Sequence, residues 1–137
     1  MNRREGRVLI VDDELSMRKA ISRALSKAHY EVVEAGDGAQ AITLLNEGDN
    51  PLMVDAILCD MRMPKINGSE AIAYFRSHYP SIPVVVLTGY PDIGLAASLT
   101  QEGVMDYLVK PVSQEVLLQV IKQAVDLRRT LKDQSKT

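Results

Sequence analysis

The sequence predicts an α/β domain of the (βα)5 type, a doubly wound sheet of five parallel strands with helices on both faces. Three observations carry this. Short runs rich in β-formers alternate with longer stretches of helical periodicity. Three of the five strand candidates are almost wholly apolar, as strands of a parallel sheet buried on both faces should be. Glycine, proline and Asn-Gly fall between these segments rather than inside them. Right-handed βαβ crossovers then dispose the strands in one parallel sheet.

Each element has its own justification. Arg7–Val11 opens the chain as a strand, and its apolar end runs straight into Asp12-Asp13-Glu14. Met17, Ala20, Ile21, Ala24, Leu25 and Ala28 follow the i, i+3, i+4, i+7 rule of an amphipathic helix. Tyr30–Glu34 is the second strand. Gly36-Asp37-Gly38 punctuates before a helix marked by Ala41, Leu44 and Leu45. The connection Asn46–Val54, NEGDNPLMV, is long for such a unit and reads as a plain insertion at the sheet edge, far from any site. Asp55–Cys59 is the third strand; after Asn67-Gly68 a third helix covers Gly68–His78. Pro83–Leu87 is the fourth strand. The fourth helix, about Asp92–Glu102, is expected to be weak, because Gly94 and the small residues Ala96, Ala97 and Ser98 offer little apolar surface. Asp106–Val109 is the last strand. The fifth helix, Ser113–Lys132, places Leu117, Val120, Ala124, Leu127 and Leu131 at spacings of three and four, which reads as a helix packed on the sheet. The alternative is that its end, past Val125, continues as a signalling helix or short coiled coil.

Composition narrows the class. With 137 residues, 46% hydrophobic and 25% charged, the chain holds one domain with a real core and has no room for a second. The folded unit is expected over residues 7–127, with a tail at 1–6 and a helical extension or linker at 128–137. Sixteen basic against eighteen acidic residues, a net charge of −2, give no nucleic-acid-binding field. A single cysteine excludes an internal disulfide framework, no apolar run approaches a membrane span, and MNRREGR lacks a signal-peptide core. A soluble cytoplasmic protein is the expectation.

In open parallel sheets, ligands bind outside the carboxyl ends of the strands. Strand one delivers Asp12 and Asp13 to that rim, strand three Asp60, strand four Thr88 and strand five Lys110. Three crowded carboxylates need compensation, which Lys110 supplies in part and a bound cation would complete. An all-oxygen donor set favours Mg2+ over zinc. A cation, a lysine and a hydroxyl around one carboxylate equip it to attack phosphorus and form an aspartyl phosphate, and Asp60 is the natural nucleophile. His29 and His78 lie at helix ends away from this rim and read as structural, and strand alternation turns Cys59 away from the site into packing.

The runs LIVDDE, ILCDMRMP followed by NG, VVVLTG and GVMDYLVKPV, in this order and spacing, resemble the receiver domain of bacterial two-component response regulators, a CheY-like, flavodoxin-like fold. The resemblance covers about residues 7–127 and implies the sheet order 2-1-3-4-5. It implies that Asp60 accepts a phosphoryl group from a sensor histidine kinase or phosphotransfer protein. It further implies that Asp12, Asp13, Asp60 and the backbone carbonyl of Arg62 hold Mg2+, that Lys110 binds a phosphoryl oxygen through a loop with a cis bond to Pro111, and that Thr88 and Tyr107 are switch residues. The surface of the fourth helix, fifth strand and fifth helix would carry the signal, and a phosphorylation-dependent homodimer is a family expectation. Leu15 stands where the family often has proline. Arg62 and Tyr90, each two residues past a site residue, are expected to flank the mouth and slow hydrolysis of the phosphate.

Three other functions compete with this one. An aspartyl-nucleophile phosphatase resembles Asp-x-Asp after the first strand, which is absent here. A flavodoxin-like carrier would need a phosphate loop where this chain has acids. A receiver-like module that binds partners without phosphate usually lacks one of the acids, the threonine or the lysine, and this chain keeps them all. The sparse basic face of the last helix argues against direct DNA binding by this segment.

Overall fold

A computed structural model describes residues 5–61 and 68–135. Five strands, β1 (Gly6–Val11), β2 (Tyr30–Ala35), β3 (Val54–Asp60), β4 (Val84–Thr88) and β5 (Asp106–Val109), form one sheet in the order β2-β1-β3-β4-β5, every pair parallel. Among the described residues, six helices accompany them: α1 (Leu15–Lys27), α2 (Gly38–Leu45), α3 (Asn50–Met53), α4 (Gly68–His78), α5 (Ile93–Gln101) and α6 (Gln114–Ser135).

Strand alternation divides the core in two. Leu9, Val11, Ile57, Cys59, Val84 and Val86 face α2, α4 and α5, where they meet Ala41, Leu45, Ile72, Phe75 and Leu99. Val8, Ile10, Ala56, Leu58, Val85 and Leu87 point the other way, against Ile21 and Leu25 of α1 and Leu117, Ile121 and Ala124 of α6. Because both faces are covered, β3 and β4 are buried at every residue, which is why they read as unbroken apolar runs. Each large side chain so buried contributes about 1.5–3 kcal/mol.

Local chemistry sets the helix ends. The Asp37 carboxylate caps α2 by accepting from Gln40 N–H at 2.8 Å, while the Gln40 side chain accepts from the N–H of Gly36, the residue before the cap, at 2.6 Å. Asp92 caps α5 by accepting from Leu95 N–H at 3.0 Å. Gly103 ends α5 at φ +95°, a backbone conformation that favours glycine, and a Cβ there would press on the end of the Arg76 side chain at 2.8 Å. At the corresponding place after α1 stands His29, an exposed non-glycine residue at φ 72°.

The connection 46–54 departs from the expected plain insertion at the sheet edge. It contains a helical turn, α3, begun by Pro51 in its first positions, and leads into Val54, which is already β3. It lies across the amino ends of the central strands, since Arg7 of β1 donates to Asp49 at 2.7 Å and to Asn50 at 2.9 Å. Polar side chains with no hydrophobic period form this contact, so no periodicity announced it. The last helix reaches it too. Arg128, only 5% exposed, donates to Ser81 and to the Pro51 carbonyl, and Lys132 donates to the Leu52 carbonyl at 2.7 Å. Past Val125, α6 is therefore tied to the domain. The weak helix is as expected: Leu99 is the one buried residue of α5, and Ile93 is 91% exposed. Among the described residues no helix is long and apolar enough to cross a membrane.

Candidate functional site

The carboxyl ends of β1, β3, β4 and β5 meet at a cavity of about 300 Å3 lined by Asp13, Glu14, Asp60, Gly89, Tyr90 and Lys110. Asp60 is the last residue of β3 and Thr88 the last of β4, one position earlier relative to the strand ends than the sequence suggests. Asp12 and Asp60 are buried and Asp13 is exposed. One carboxylate oxygen from each of the three lies within 4.8 Å of the others.

Lys110 faces the buried pair, its Nζ 3.4 Å from Asp12 Oδ2 and 3.4 Å from Asp60 Oδ2. Burial alone would lower its pKa, but the charges of Asp12 and Asp60 outweigh that and hold it above the ordinary lysine value. Its backbone N–H donates to the Thr88 carbonyl at 2.8 Å, which registers β5 on β4, and the Lys110–Pro111 bond is cis. The three carboxylates found together there offer only oxygen. That suits a hard cation which keeps water ligands.

Thr88 is 2% exposed and engaged locally: its Oγ1 accepts from Tyr90 N–H at 3.1 Å. Tyr107 is half-buried on the α5 side, where its hydroxyl accepts from Asp92 N–H at 3.2 Å, at the start of α5. Tyr90 is 62% exposed at the cavity wall. Arg62, named above for its carbonyl and its side chain, lies outside the described residues. Cys59 is fully buried, and burial followed by the Asp60 and Asp12 charges pushes its thiol far up, which makes it inert. His29 and His78 stand apart from the site.

Two groups near the site were not singled out from the sequence. Glu14 lines the cavity, masked in the sequence as the third member of an acidic run. Arg18, on the first turns of α1, donates to the Asp12 carbonyl at 2.8 Å and to Glu34 at 3.1 Å. A lone arginine on a helix carries no signal of such a contact; only its helical position, facing the end of β2, could have suggested it.

Known proteins share this arrangement. The response regulator receiver domain profile matches residues 8–122. The transcriptional regulatory protein GlrR of Escherichia coli is 32% identical over 126 residues, which are 92% of this chain and 28% of GlrR. The chain thus spans about a quarter of the length of such curated relatives. A response regulator receiver domain protein from Clostridium thermocellum superposes with a TM-score of 0.86 at 28% identity, over 92% of this chain and 98% of that one. The chemotaxis protein CheY4 of Vibrio cholerae gives 0.78 at 31% identity, over 87% and 98%. With its sheet order, its rim of acids and its lysine, the chain belongs to the response regulator receiver domain family of two-component systems, a signalling module.

Proposed function

We propose that the chain receives a phosphoryl group on Asp60 from a phosphohistidine of a sensor histidine kinase or phosphotransfer protein in the cytoplasm, in a Mg2+-dependent reaction. The observation that carries this is the convergence of the Asp12, Asp13 and Asp60 carboxylates on one cavity with Lys110 at 3.4 Å from two of them. In the transfer, a carboxylate oxygen of Asp60 bonds to phosphorus as the P–N bond to the donor imidazole breaks, and the imidazole leaves with the electron pair. Lys110 is then released from Asp60 to pair with a phosphoryl oxygen. Asp12, Asp13, Asp60 and the Arg62 carbonyl would hold the metal, which when bound neutralises charge on the transferring group.

The incoming group adds about −1.5 to −2 charges beside Thr88. Its hydroxyl would exchange the Tyr90 N–H for a phosphoryl oxygen, drawing the loop before α5 with it. Tyr107 is tied to that loop through Asp92 N–H, so one local change reaches the α5–β5–α6 face. A helix held by a single buried residue can shift between arrangements a few kcal/mol apart. This face would engage an output partner or a second copy of the chain. Residues 7–127 form the receiver in this reading, with 128–137 as its extension. Slow loss of phosphate would reset it, with Arg62 and Tyr90 at the mouth hindering the attacking water.

The test is intact mass after incubation with acetyl phosphate, with and without Mg2+, on wild type and Asp60→Asn. One phosphoryl group gained by wild type only with Mg2+, and none by the variant, is the expected result. A folded wild type that gains nothing would leave a partner-binding module that works without phosphate.

A further inference from the structure

Asp12 is fully committed. Its N–H donates to the Ala35 carbonyl at 3.1 Å, its Oδ1 accepts from Glu14 N–H at 2.9 Å, its Oδ2 faces Lys110, and its carbonyl accepts from Arg18. Asp13 is the opposite case. It is exposed, and among the described residues no hydrogen bond holds its carboxylate. The backbone alone therefore sets where its Cβ starts and which rotamers can reach the other carboxylates, and the peptide that joins it to Asp12 is the one whose carbonyl oxygen Arg18 grips.

We infer that Arg18 is a positioning residue for the cation site: by bridging the Asp12 carbonyl and Glu34, it fixes the Asp12–Asp13 peptide plane and so aims both carboxylates. The inference rests on the Mg2+-dependent reading above. Arginine suits the task because its planar fork carries several donors in fixed relation, so Nη1 can serve the carbonyl while Nε serves the carboxylate. Glu34 is itself anchored, paired with Lys19 at 3.0 Å and standing in β2 opposite Ile10 of β1. Burial would raise the Glu34 pKa, but the bonds from Lys19 and Arg18 outweigh it, so the carboxyl stays charged well below neutrality. The brace thus ties three elements, the end of β1, the first turns of α1 and the end of β2, behind the ligands.

A brace and a charge predict opposite signs. As a bare positive charge near the site, Arg18 would repel a divalent cation, and its removal would tighten binding. As a positioning residue its loss weakens binding, and supporting contacts of this kind are worth about 10–100-fold in metal affinity.

The experiment is isothermal titration of the whole chain with Mg2+ alone, for wild type, Arg18→Met, Arg18→Lys and Lys27→Met, beside the acetyl phosphate assay. The expected result is a Kd at least about 10-fold weaker for Arg18→Met. Arg18→Lys, which keeps the charge but not the fork, should also weaken, while Lys27→Met, which removes an exposed positive charge in the last turn of α1, stays near wild type. A Kd for folded Arg18→Met equal to or tighter than wild type overturns the inference. Should circular dichroism show that variant unfolded, Glu34→Ala decides in its place, with weaker binding expected and unchanged binding overturning it. A wild type that binds no Mg2+ overturns the inference together with the metal reading. A wild type that binds Mg2+ but takes no phosphate refutes the phosphoacceptor reading alone, and the Arg18 comparison still stands.

Discussion

Replacing Lys110 by Met keeps the side-chain methylenes and removes one charge from a pocket where two carboxylates face it. At an effective dielectric near 20, each 3.4 Å pair has a gross attraction of about 5 kcal/mol. Desolvation cancels much of that. Exposed pairs retain about 0.2–1 kcal/mol, whereas one-sided removal from a buried pair costs about 3–5 kcal/mol. The Lys110 side chain is 17% exposed and those of Asp12 and Asp60 are 3% and 10% exposed, so the pocket falls between these limits. A destabilisation of about 2 kcal/mol is expected from urea unfolding at pH 7.5 without divalent ions. The Asp60→Asn background should reduce that cost, with a coupling of about 1 kcal/mol in the double-mutant cycle. Because the folded-state pKa of Lys110 is raised, its contribution is complete below the unfolded value of about 10.4 and is lost as pH rises through the folded value. The gap between wild type and Lys110→Met should therefore be flat from neutrality to about pH 10 and close above it. A coupling below about 0.3 kcal/mol would show that Lys110 is not compensating the carboxylates.

Two further outcomes are expected. His29→Gly should stabilise the fold by about 0.5–1 kcal/mol, since His29 is exposed and held at φ 72°, where glycine has no steric penalty; an unchanged or lower melting temperature would count against strain at that position. The phosphorylated Arg62→Ala, Tyr90→Ala double variant should lose its phosphate faster than wild type by intact-mass time course, and slower loss would remove both residues from the mouth of the site.

The architecture was legible because burial on both sheet faces leaves a direct trace in the sequence. Apolar runs such as VLIV and VVVL mark strands with no solvent side, and the α1 and α6 patterns mark helices with one. The rim followed from the same logic, because the residue after a buried strand has only one place to go. That brought Asp12, Asp13, Asp60, Thr88 and Lys110 to one edge on paper. Strand ends were less legible: Asp60 and Thr88 remain within the ladder because hydrogen bonding continues after the apolar run stops.

What the tertiary structure alone decided involves polar side chains that meet across long separations. Arg18 and Glu34 are sixteen residues apart and on different elements; Arg7 reaches Asp49 and Asn50, and Arg128 reaches Ser81 and the Pro51 carbonyl. Hydrophobic burial is non-directional and repeats with the period of the element, so it is written along the chain. A hydrogen bond depends on where two distant backbones come to lie, and only the folded chain sets that. The same holds for the Thr88 hydroxyl, which turns to the Tyr90 N–H rather than to the carboxylates. Sequence determined which groups arrive at the rim, and packing decided which way each of them faces.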